Sequence, residues 1–206
     1  MRGETLGNCT VVVTGASGSV YGMRLIEQLA LAGHDVSVVF TDAGREVTAF
    51  ELGFTLPVGD AAAAAAALGA YLEVPNTDGI RVAYPGDLFD AIASGSHRID
   101  AMIVVPCSMG FLSGVAHGIA DDLPQRAADV MLKERRPLVL VPRETPLSLI
   151  HLRNLTAAAE AGAIIVPAMP GFYARPETID DLVSFVVGKV LDVLDVDHHL
   201  FRRWGE

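Results

Sequence analysis

The sequence predicts a single α/β domain, built as a doubly wound parallel sheet with helices on both faces. Short apolar runs alternate with helical patterns along the whole chain. The runs are apolar throughout, as expected of parallel strands that are buried on both faces. The 206 residues contain no internal repeat and no linker, and this length suits one domain over residues 1–206. These observations together indicate a three-layer sandwich of the flavodoxin or Rossmann kind.

Each element follows from its own segment of sequence. Strands are predicted at residues 9–13, 36–40, 101–105, 138–141 and 164–166. Helices are predicted at 20–32, 44–52, 61–72, 88–93, 110–117, 124–134, 148–161 and 178–194. Residues 75–87 form the longest loop-like stretch and are interpreted as a lid or an interface loop. The alanine run 61–67 is interpreted as a surface helix, because alanine has the highest helix propensity.

The charge pattern narrows the choice of partners. The net charge of -10 argues against a nucleic acid or an anionic membrane as the partner. Residues 126–153 nevertheless carry six basic side chains: Arg126, Lys133, Arg135, Arg136, Arg143 and Arg153. The same stretch carries three acidic side chains: Asp129, Glu134 and Glu144. A locally positive region in an acidic protein suits a small anionic ligand.

Targeting and metal-binding signals are not found in the sequence. The first residues do not read as a signal peptide, and no apolar stretch reaches the roughly 18 residues of a membrane span. The two cysteines, Cys9 and Cys107, have neither the spacing of a zinc site nor the number of a disulfide framework. We therefore expect a cytoplasmic protein without a zinc site.

The first predicted strand leads into a glycine-rich turn and then a helix. Amides at a helix start attract phosphate, and glycine allows a ligand to approach the backbone. Gly15, Gly18 and Gly22 give the spacing GxxGxxxG, however, and a dinucleotide fingerprint requires GxGxxG. The sequence also has no Tyr-xxx-Lys pair, so a nicotinamide cofactor is disfavoured. A turn with a purely structural role remains an alternative, although the Ser17 hydroxyl could contact a phosphate or a flavin.

Polar residues follow three further predicted strands. Thr41 follows the second, Ser108 lies just beyond the third, and Arg143 with Glu144 follows the fourth. Ligands of open α/β sheets bind outside the carboxyl ends of the strands, so these groups predict one shared pocket. Arg143 and Glu144 resemble an anion clamp beside an acid/base group. The alternatives are simple helix caps for the hydroxyls and a solvated Arg-Glu pair.

The usual hydrolytic motifs are missing. The chain has no GxSxG elbow and no HExxH motif, and its six histidines have no ligand spacing. The candidate acid/base groups are therefore carboxylates, chiefly Glu51 and Glu144.

Several longer motifs resemble those of UbiX-type flavin prenyltransferases. They are Thr-Gly-Ala-Ser-Gly-Ser-Val-Tyr-Gly at 14–22, Val-Pro-Cys-Ser-Met-Gly at 105–110, the block 126–146 that ends in Val-Pro-Arg-Glu-Thr-Pro, Pro-Gly-Phe-Tyr-Ala-Arg-Pro at 170–176 and Arg-Trp-Gly-Glu at 203–206. The resemblance implies an enzyme that joins a dimethylallyl group from dimethylallyl phosphate to N5 and C6 of reduced FMN. It further implies that prenylated FMN is the cofactor of a UbiD-type decarboxylase and that the transfer needs no metal. It also implies a homododecamer, with tail 195–206 at a subunit interface.

The resemblance also assigns site residues. It implies FMN contacts at Gly15, Ala16, Ser17, Thr41, Ser108, Met109, Gly110, Phe111 and Arg143. It implies a dimethylallyl phosphate site at Tyr173, Lys189 and Arg126, with Lys133 supplied by a neighbouring subunit. The implied catalytic residues are Glu51, Glu144, Ser17 and Trp204. The cations would stabilise the leaving phosphate, Trp204 and Tyr173 would surround the allylic cation, and Glu144 would take the proton lost from C6.

Three positions depart from the family pattern. Thr41 replaces serine and keeps the hydroxyl. Phe111 replaces threonine, so a side-chain hydrogen bond to the flavin is lost there. Lys189 replaces arginine, which keeps the charge without the bidentate geometry.

Two other functions remain open. A flavin-dependent cysteine decarboxylase would share the fold, but the catalytic histidine and Asn-rich motif of that family are not found. A carrier that binds FMN or prenylated FMN without turnover, as a partner of a decarboxylase, is the second alternative.

Overall fold

One parallel sheet of six strands organises the molecule, and the computed structural model describes residues 6–205. Residues 1–5 and Glu206, which the predicted domain and tail include, lie outside the described residues. The strands are β1 (Asn8–Val13), β2 (Asp35–Phe40), β3 (Ile80–Ala83), β4 (Ala101–Cys107), β5 (Leu138–Pro142) and β6 (Ile164–Ile165). The helices are α1 (Ser19–Leu31), α2 (Asp42–Leu52), α3 (Ala61–Tyr71), α4 (Met109–Ala116), α5 (Leu123–Lys133), α6 (Leu149–Glu160) and α7 (Ile179–Val193).

The strand order of the sheet is β3-β2-β1-β4-β5-β6. Neighbouring strands of the sheet pair in parallel, and β1 pairs with both β2 and β4, so that Val11 lies between Val38 and Ile103. The order reverses direction at β1 and β4, which is the Rossmann arrangement with its topological switch point. The predicted doubly wound sheet is therefore confirmed, and its ligand crevice is expected where β1 and β4 end.

Alternate residues of the central strands face two separate cores. Val11 and Val13 pack with α1 and α7 on one face of the sheet. Val12 and Val104 pack with α4 and α5 on the other face. This two-residue periodicity, with both faces covered, explains why the sequence shows continuous apolar runs.

Two glycines let helices approach the end of the sheet. A Cβ on Gly22 of α1 would lie 2.5 Å from the Val105 carbonyl oxygen, and one on Gly44 of α2 would lie 2.2 Å from the Val13 carbonyl oxygen. Only a residue without a side chain fits at such distances. The starts of α1 and α2 are therefore held directly against the ends of β1 and β4.

The predicted elements are confirmed to within two residues at most ends, with two corrections. The predicted loop 75–87 contains the edge strand β3. The predicted helix 88–93 is wrong, because only Ala91–Ala93 form a 3-10 turn, which begins where the Asp90 carboxylate accepts a hydrogen bond from the Ile92 amide. Within residues 6–205, none of the helices combines the length and the apolar character needed to cross a membrane.

Candidate functional site

Thr14 joins the two strand ends that border the crevice. Its buried hydroxyl donates to the Pro106 carbonyl at 2.7 Å and accepts from the Ser108 amide at 2.8 Å. The turn after β1 and the turn after β4 are thereby fixed to each other. Thr14 was not among the predicted site residues, although its place directly after an apolar strand could have indicated this role.

Glu51 lies on α2, and its carboxylate reaches the first amides of α1. Its carboxylate accepts from the amides of Gly18 and Ser19, both at 2.9 Å. Partial burial acts to raise the pKa of Glu51, but hydrogen bonds from the Ser17 side chain and these two amides hold the pKa below its ordinary value. The amides that dinucleotide-binding folds offer to a phosphate are therefore engaged by a carboxylate of the same chain.

Ser108 begins α4 beside this turn, and its hydroxyl accepts from the Phe111 amide at 3.2 Å. Met109 and Phe111 are buried in the core below. Gly110 is exposed, and an added Cβ would meet no atom within 4 Å. Of the predicted flavin contacts on α4, Gly110 thus faces open space, while the Phe111 ring packs in the core.

Arg143 connects the end of β5 with the turn after β1. Its amide donates to the Cys107 carbonyl at 3.3 Å, and its Nε donates to the Ser17 carbonyl at 2.9 Å. Glu144 turns elsewhere and accepts from the Thr145 amide at 3.0 Å. Among the described residues no ion pair joins Arg143 to Glu144, so the amino groups of the guanidinium stay available to an anion.

Two further residues lie at the edge of the crevice. Thr41 donates from its amide to the Val13 carbonyl at 3.0 Å, and its hydroxyl caps α2 by accepting from the Gly44 amide. Burial raises the pKa of the Tyr21 hydroxyl, and the nearby positive charge of Arg143 opposes that shift. Tyr21 is thus a neighbour of Arg143 that the sequence analysis quoted in a motif but gave no role.

The aromatic residues predicted for the prenyl site form a separate cluster. The Tyr173 ring lies 5.5 Å from that of Phe185 and 5.3 Å from that of Trp204, both edge to face. Trp204 keeps 81% of its surface exposed. The predicted partners Tyr173 and Trp204 are therefore in contact.

The predicted cations have different surroundings. Lys189, on α7, donates to Asp192 at 2.9 Å. Arg126 donates to Asp129 at 2.7 Å and to the Ala93 carbonyl at 3.2 Å. Lys133 pairs with Glu134 and lies next to Gly95, on the side where β5 begins rather than where it ends.

One chain thus brings the predicted flavin contacts together at the crevice, while the residues predicted for the prenyl donor lie elsewhere. The residues around the crevice are Gly15, Ala16, Ser17, Thr41, Glu51, Ser108, Gly110 and Arg143. Tyr173 and Trp204 form the aromatic cluster beside α7, which carries Lys189. Lys133 lies apart from the crevice, and so does Lys189, because the end of α7 lines a depression with Ala101 and Pro137, where β4 and β5 begin. The assignment of both lysines to a site with Arg143 therefore depends on a neighbouring subunit. In residues 6–205, no group of three or more His, Cys, Asp and Glu side chains is arranged to hold a metal ion.

Comparison with known proteins identifies the family. A family model described as Flavoprotein matches residues 4–191. The flavin prenyltransferase UbiX of Halalkalibacterium halodurans is 48% identical over 198 residues, 96% of this chain and 93% of that protein. UbiX of Pseudomonas aeruginosa is 45% identical over 200 residues, again 96% of this chain and 93% of that protein.

Solved structures agree with these relatives. The crystal structure of AnUbiX (PadA1) in complex with FMN and dimethylallyl pyrophosphate has a TM-score of 0.85 at 38% identity, covering 97% of this chain and 98% of the other. A dodecameric FMN-dependent Ubix-like decarboxylase from Escherichia coli O157:H7 has a TM-score of 0.82 at 40% identity, covering 97% and 100%. With relatives this similar along nearly the whole length, the chain belongs to the UbiX flavin prenyltransferase family, a family of flavoprotein transferases.

Proposed function

We propose that this enzyme transfers a dimethylallyl group from dimethylallyl phosphate to N5 and C6 of reduced FMN, and that the product serves a UbiD-type decarboxylase. The observation that carries the proposal is the position of Arg143. Its Nε is fixed by the Ser17 carbonyl, and its amino groups have no carboxylate partner among the described residues. A fixed guanidinium at the switch-point crevice suits a phosphate-bearing ligand.

The crevice fits FMN. Gly110 faces open space beside the turn 14–19, and the amides that begin α4 point toward the carboxyl edge of the sheet. Gly15, Ala16, Ser17, Thr41, Ser108, Met109, Gly110 and Arg143 would hold the flavin, with Phe111 contributing its backbone. When bound, reduced FMN supplies the ring nitrogen and the ring carbon that accept the prenyl group.

Cationic residues would stabilise the leaving phosphate. The C–O bond of dimethylallyl phosphate breaks, and its electron pair leaves with the phosphate. Arg143, Lys189 and the Tyr173 hydroxyl would meet the developing negative charge, with Arg126 and a neighbouring subunit's copy of Lys133 as further cations. Such preorganised donors lower the barrier without a covalent catalyst or a metal.

The aromatic cluster would protect the allylic cation. Tyr173 and Trp204 offer ring faces, which attract a cation and exclude water. Their rings are in contact in the single chain, which supports this role.

Glu51 and Glu144 would act as the acid/base groups of the reaction. The amide and hydroxyl donors around Glu51 lower its pKa and favour its ionised form. Glu51 would act as an acid/base carboxylate through its hydroxyl partner Ser17. Glu144 is exposed at the end of β5 and would take the proton that C6 loses on ring closure.

We also propose that residues 1–206 act as one domain within a homododecamer, with tail 195–206 at a subunit interface. Large apolar side chains that are exposed in the single chain support an assembly: Phe50, Phe89, Leu149, Ile150, Met169 and Phe172. Exposed apolar surface on this scale is typical of interfaces.

Anaerobic incubation with reduced FMN and dimethylallyl phosphate tests the function. Mass spectrometry of the released flavin should find FMN enlarged by one prenyl unit, and this product should activate an apo UbiD-type decarboxylase. Recovery of unmodified FMN would favour the carrier. Oxidative decarboxylation of a peptide with a carboxyl-terminal cysteine would favour the flavin-dependent cysteine decarboxylase.

A further inference from the structure

Asp192, near the end of α7, gathers three cationic or hydrogen-bonding side chains. Its Oδ2 accepts from Lys189 Nζ at 2.9 Å. Its Oδ1 accepts from Arg203 Nη2 at 3.0 Å and lies 3.1 Å from His198 Nε2. Burial acts to raise the pKa of Asp192, but these three partners lower the pKa to about 2. One carboxylate thus connects α7 to the tail that follows it.

The tail packs closely on α7 at the same point. The His198 side chain is only 3% exposed. A Cβ on Gly188 would lie 2.5 Å from Phe201 Cε1 and 2.7 Å from His198 Cε1, so glycine is needed for this approach. The tail is therefore fitted to the helix by shape as well as by charge.

A series of neighbouring aromatic rings connects this contact with the proposed prenyl site. The Phe201 ring lies 5.0 Å from that of Phe185, which in turn lies 5.5 Å from that of Tyr173. Tyr173 contacts Trp204, the residue next to Arg203. Arg203 and Trp204 are adjacent, so the ion pair of one restricts the position of the other.

We propose that Asp192 is a positioning residue, which orients Lys189 and holds the tail so that Trp204 stays against Tyr173. This inference rests on the proposed prenyl transfer for its effect on rate, but the positional part does not. A lysine side chain has many rotamers, and pairing one of its three ammonium donors with Asp192 restricts them while two donors remain for a phosphate.

The test compares Asp192→Asn with Asp195→Asn, using the full-length protein. Asp195 is an exposed carboxylate three residues further along that makes none of these contacts, so its variant controls for the loss of one charge. We expect Asp192→Asn to raise the KM for dimethylallyl phosphate about tenfold or more, with the Kd for FMN unchanged. Asp192→Glu should recover part of the loss because the carboxylate returns.

Trp204 reports the position of the tail directly, since it is the only tryptophan in the sequence. Asp192→Asn should lower its fluorescence anisotropy and speed tryptic cleavage after Arg202 and Arg203. Gly188→Ala should do the same by steric displacement, while leaving all three partners of Asp192 in the chain. If Gly188→Ala releases the tail but Asp192→Asn does not, then Asp192 does not position the tail.

The outcomes separate this inference from the proposed function. If the wild-type protein transfers no prenyl group but Asp192→Asn still releases Trp204, the function is wrong and the positioning role stands. If Asp192→Asn equals Asp195→Asn in KM, anisotropy and cleavage, the positioning role is overturned whatever the activity. Should Asp192→Asn fail to fold, Arg203→Gln removes the ion pair between the tail and Asp192 instead, and a Trp204 anisotropy equal to that of the wild type would overturn the role in holding the tail.

Discussion

Arg143 Nε donates to the Ser17 carbonyl at 2.9 Å across a separation of 126 residues in the sequence. This bond ties the turn after β5 to the turn after β1, on opposite sides of the β4 end. The guanidinium is therefore held at the switch point by backbone, and its charge is not neutralised by Glu144. Its geometry supports the proposed phosphate contact more strongly than the sequence pattern alone.

Glu144→Gln should leave FMN binding nearly intact and slow prenyl transfer about 10²–10⁴-fold, because it removes a proton acceptor and keeps the shape. Glu160→Gln, an exposed glutamate at the end of α6, is the matched control. Single-turnover rates under anaerobic conditions measure the effect. Equal rates for both variants would leave Glu144 with a structural role only.

Lys189→Ala should lower kcat/KM for dimethylallyl phosphate about 10- to 100-fold without changing the Kd for FMN, because a charge-assisted hydrogen bond contributes about 1.5–3 kcal/mol. Lys189→Arg should retain activity. An interaction with the helix dipole is the competing explanation, but Lys189 lies before the last turn of α7. A lower Tm with an unchanged prenylation rate would support that explanation instead.

Gly110→Ala should weaken FMN binding about tenfold, because the new methyl group enters the space proposed for the flavin. Overpacking costs about 1–3 kcal/mol, and 1.4 kcal/mol corresponds to tenfold. The Tm of the flavin-free protein should not fall, since no atom lies within 4 Å of the added Cβ. Gly86→Ala, in an equally open position, should affect neither quantity. Fluorescence titration with FMN measures the Kd of each variant. An unchanged Kd for Gly110→Ala would show that the flavin does not lie against α4.

Glu51→Gln should lower the Tm at neutral pH, and the difference from wild type should shrink in acid. The folded-state pKa of Glu51 is depressed, so its contribution to stability is present above the pKa of an unfolded glutamate. That contribution is lost as the pH falls through the folded-state pKa. Glu46→Gln, an exposed change on the same helix, should give no pH-dependent difference. Thermal unfolding over a pH series provides the data, and a constant difference for Glu51→Gln would contradict the account.

The native mass should be that of a homododecamer, because the single chain leaves Phe89 fully exposed among other large apolar side chains. Light scattering on the purified protein measures this mass. A stable monomer that transfers prenyl groups would show that a neighbouring subunit contributes nothing to the site.

The sequence predicted the central strands well because each is a continuous apolar run with a clear end. It missed β3 because this edge strand has only four residues, one of which is the exposed Arg81. It misread residues 88–93 because Leu88 and Phe89 suggest burial, whereas both are exposed in the single chain. A single sequence does not distinguish apolar residues that contact a partner subunit from apolar residues that are buried in a core.

The positions of Ser17, Ser108 and Arg143 at one crevice were predictable, because these side chains follow strands. The role of Asp192 was not predictable in the same way, because its partners Lys189, His198 and Arg203 come together only when the tail folds back on α7. The i, i+3 spacing of Lys189 and Asp192 on a helix was the one available signal.

Crystallising the protein with FMN and dimethylallyl phosphate tests the central claim most directly. We expect electron density for the isoalloxazine ring at the ends of β1 and β4, beside Ser17 and Gly110. We expect the phosphate of the prenyl donor within hydrogen-bond distance of the Arg143 amino groups. Flavin density at another edge of the sheet, or a crevice closed by protein side chains, would contradict the account.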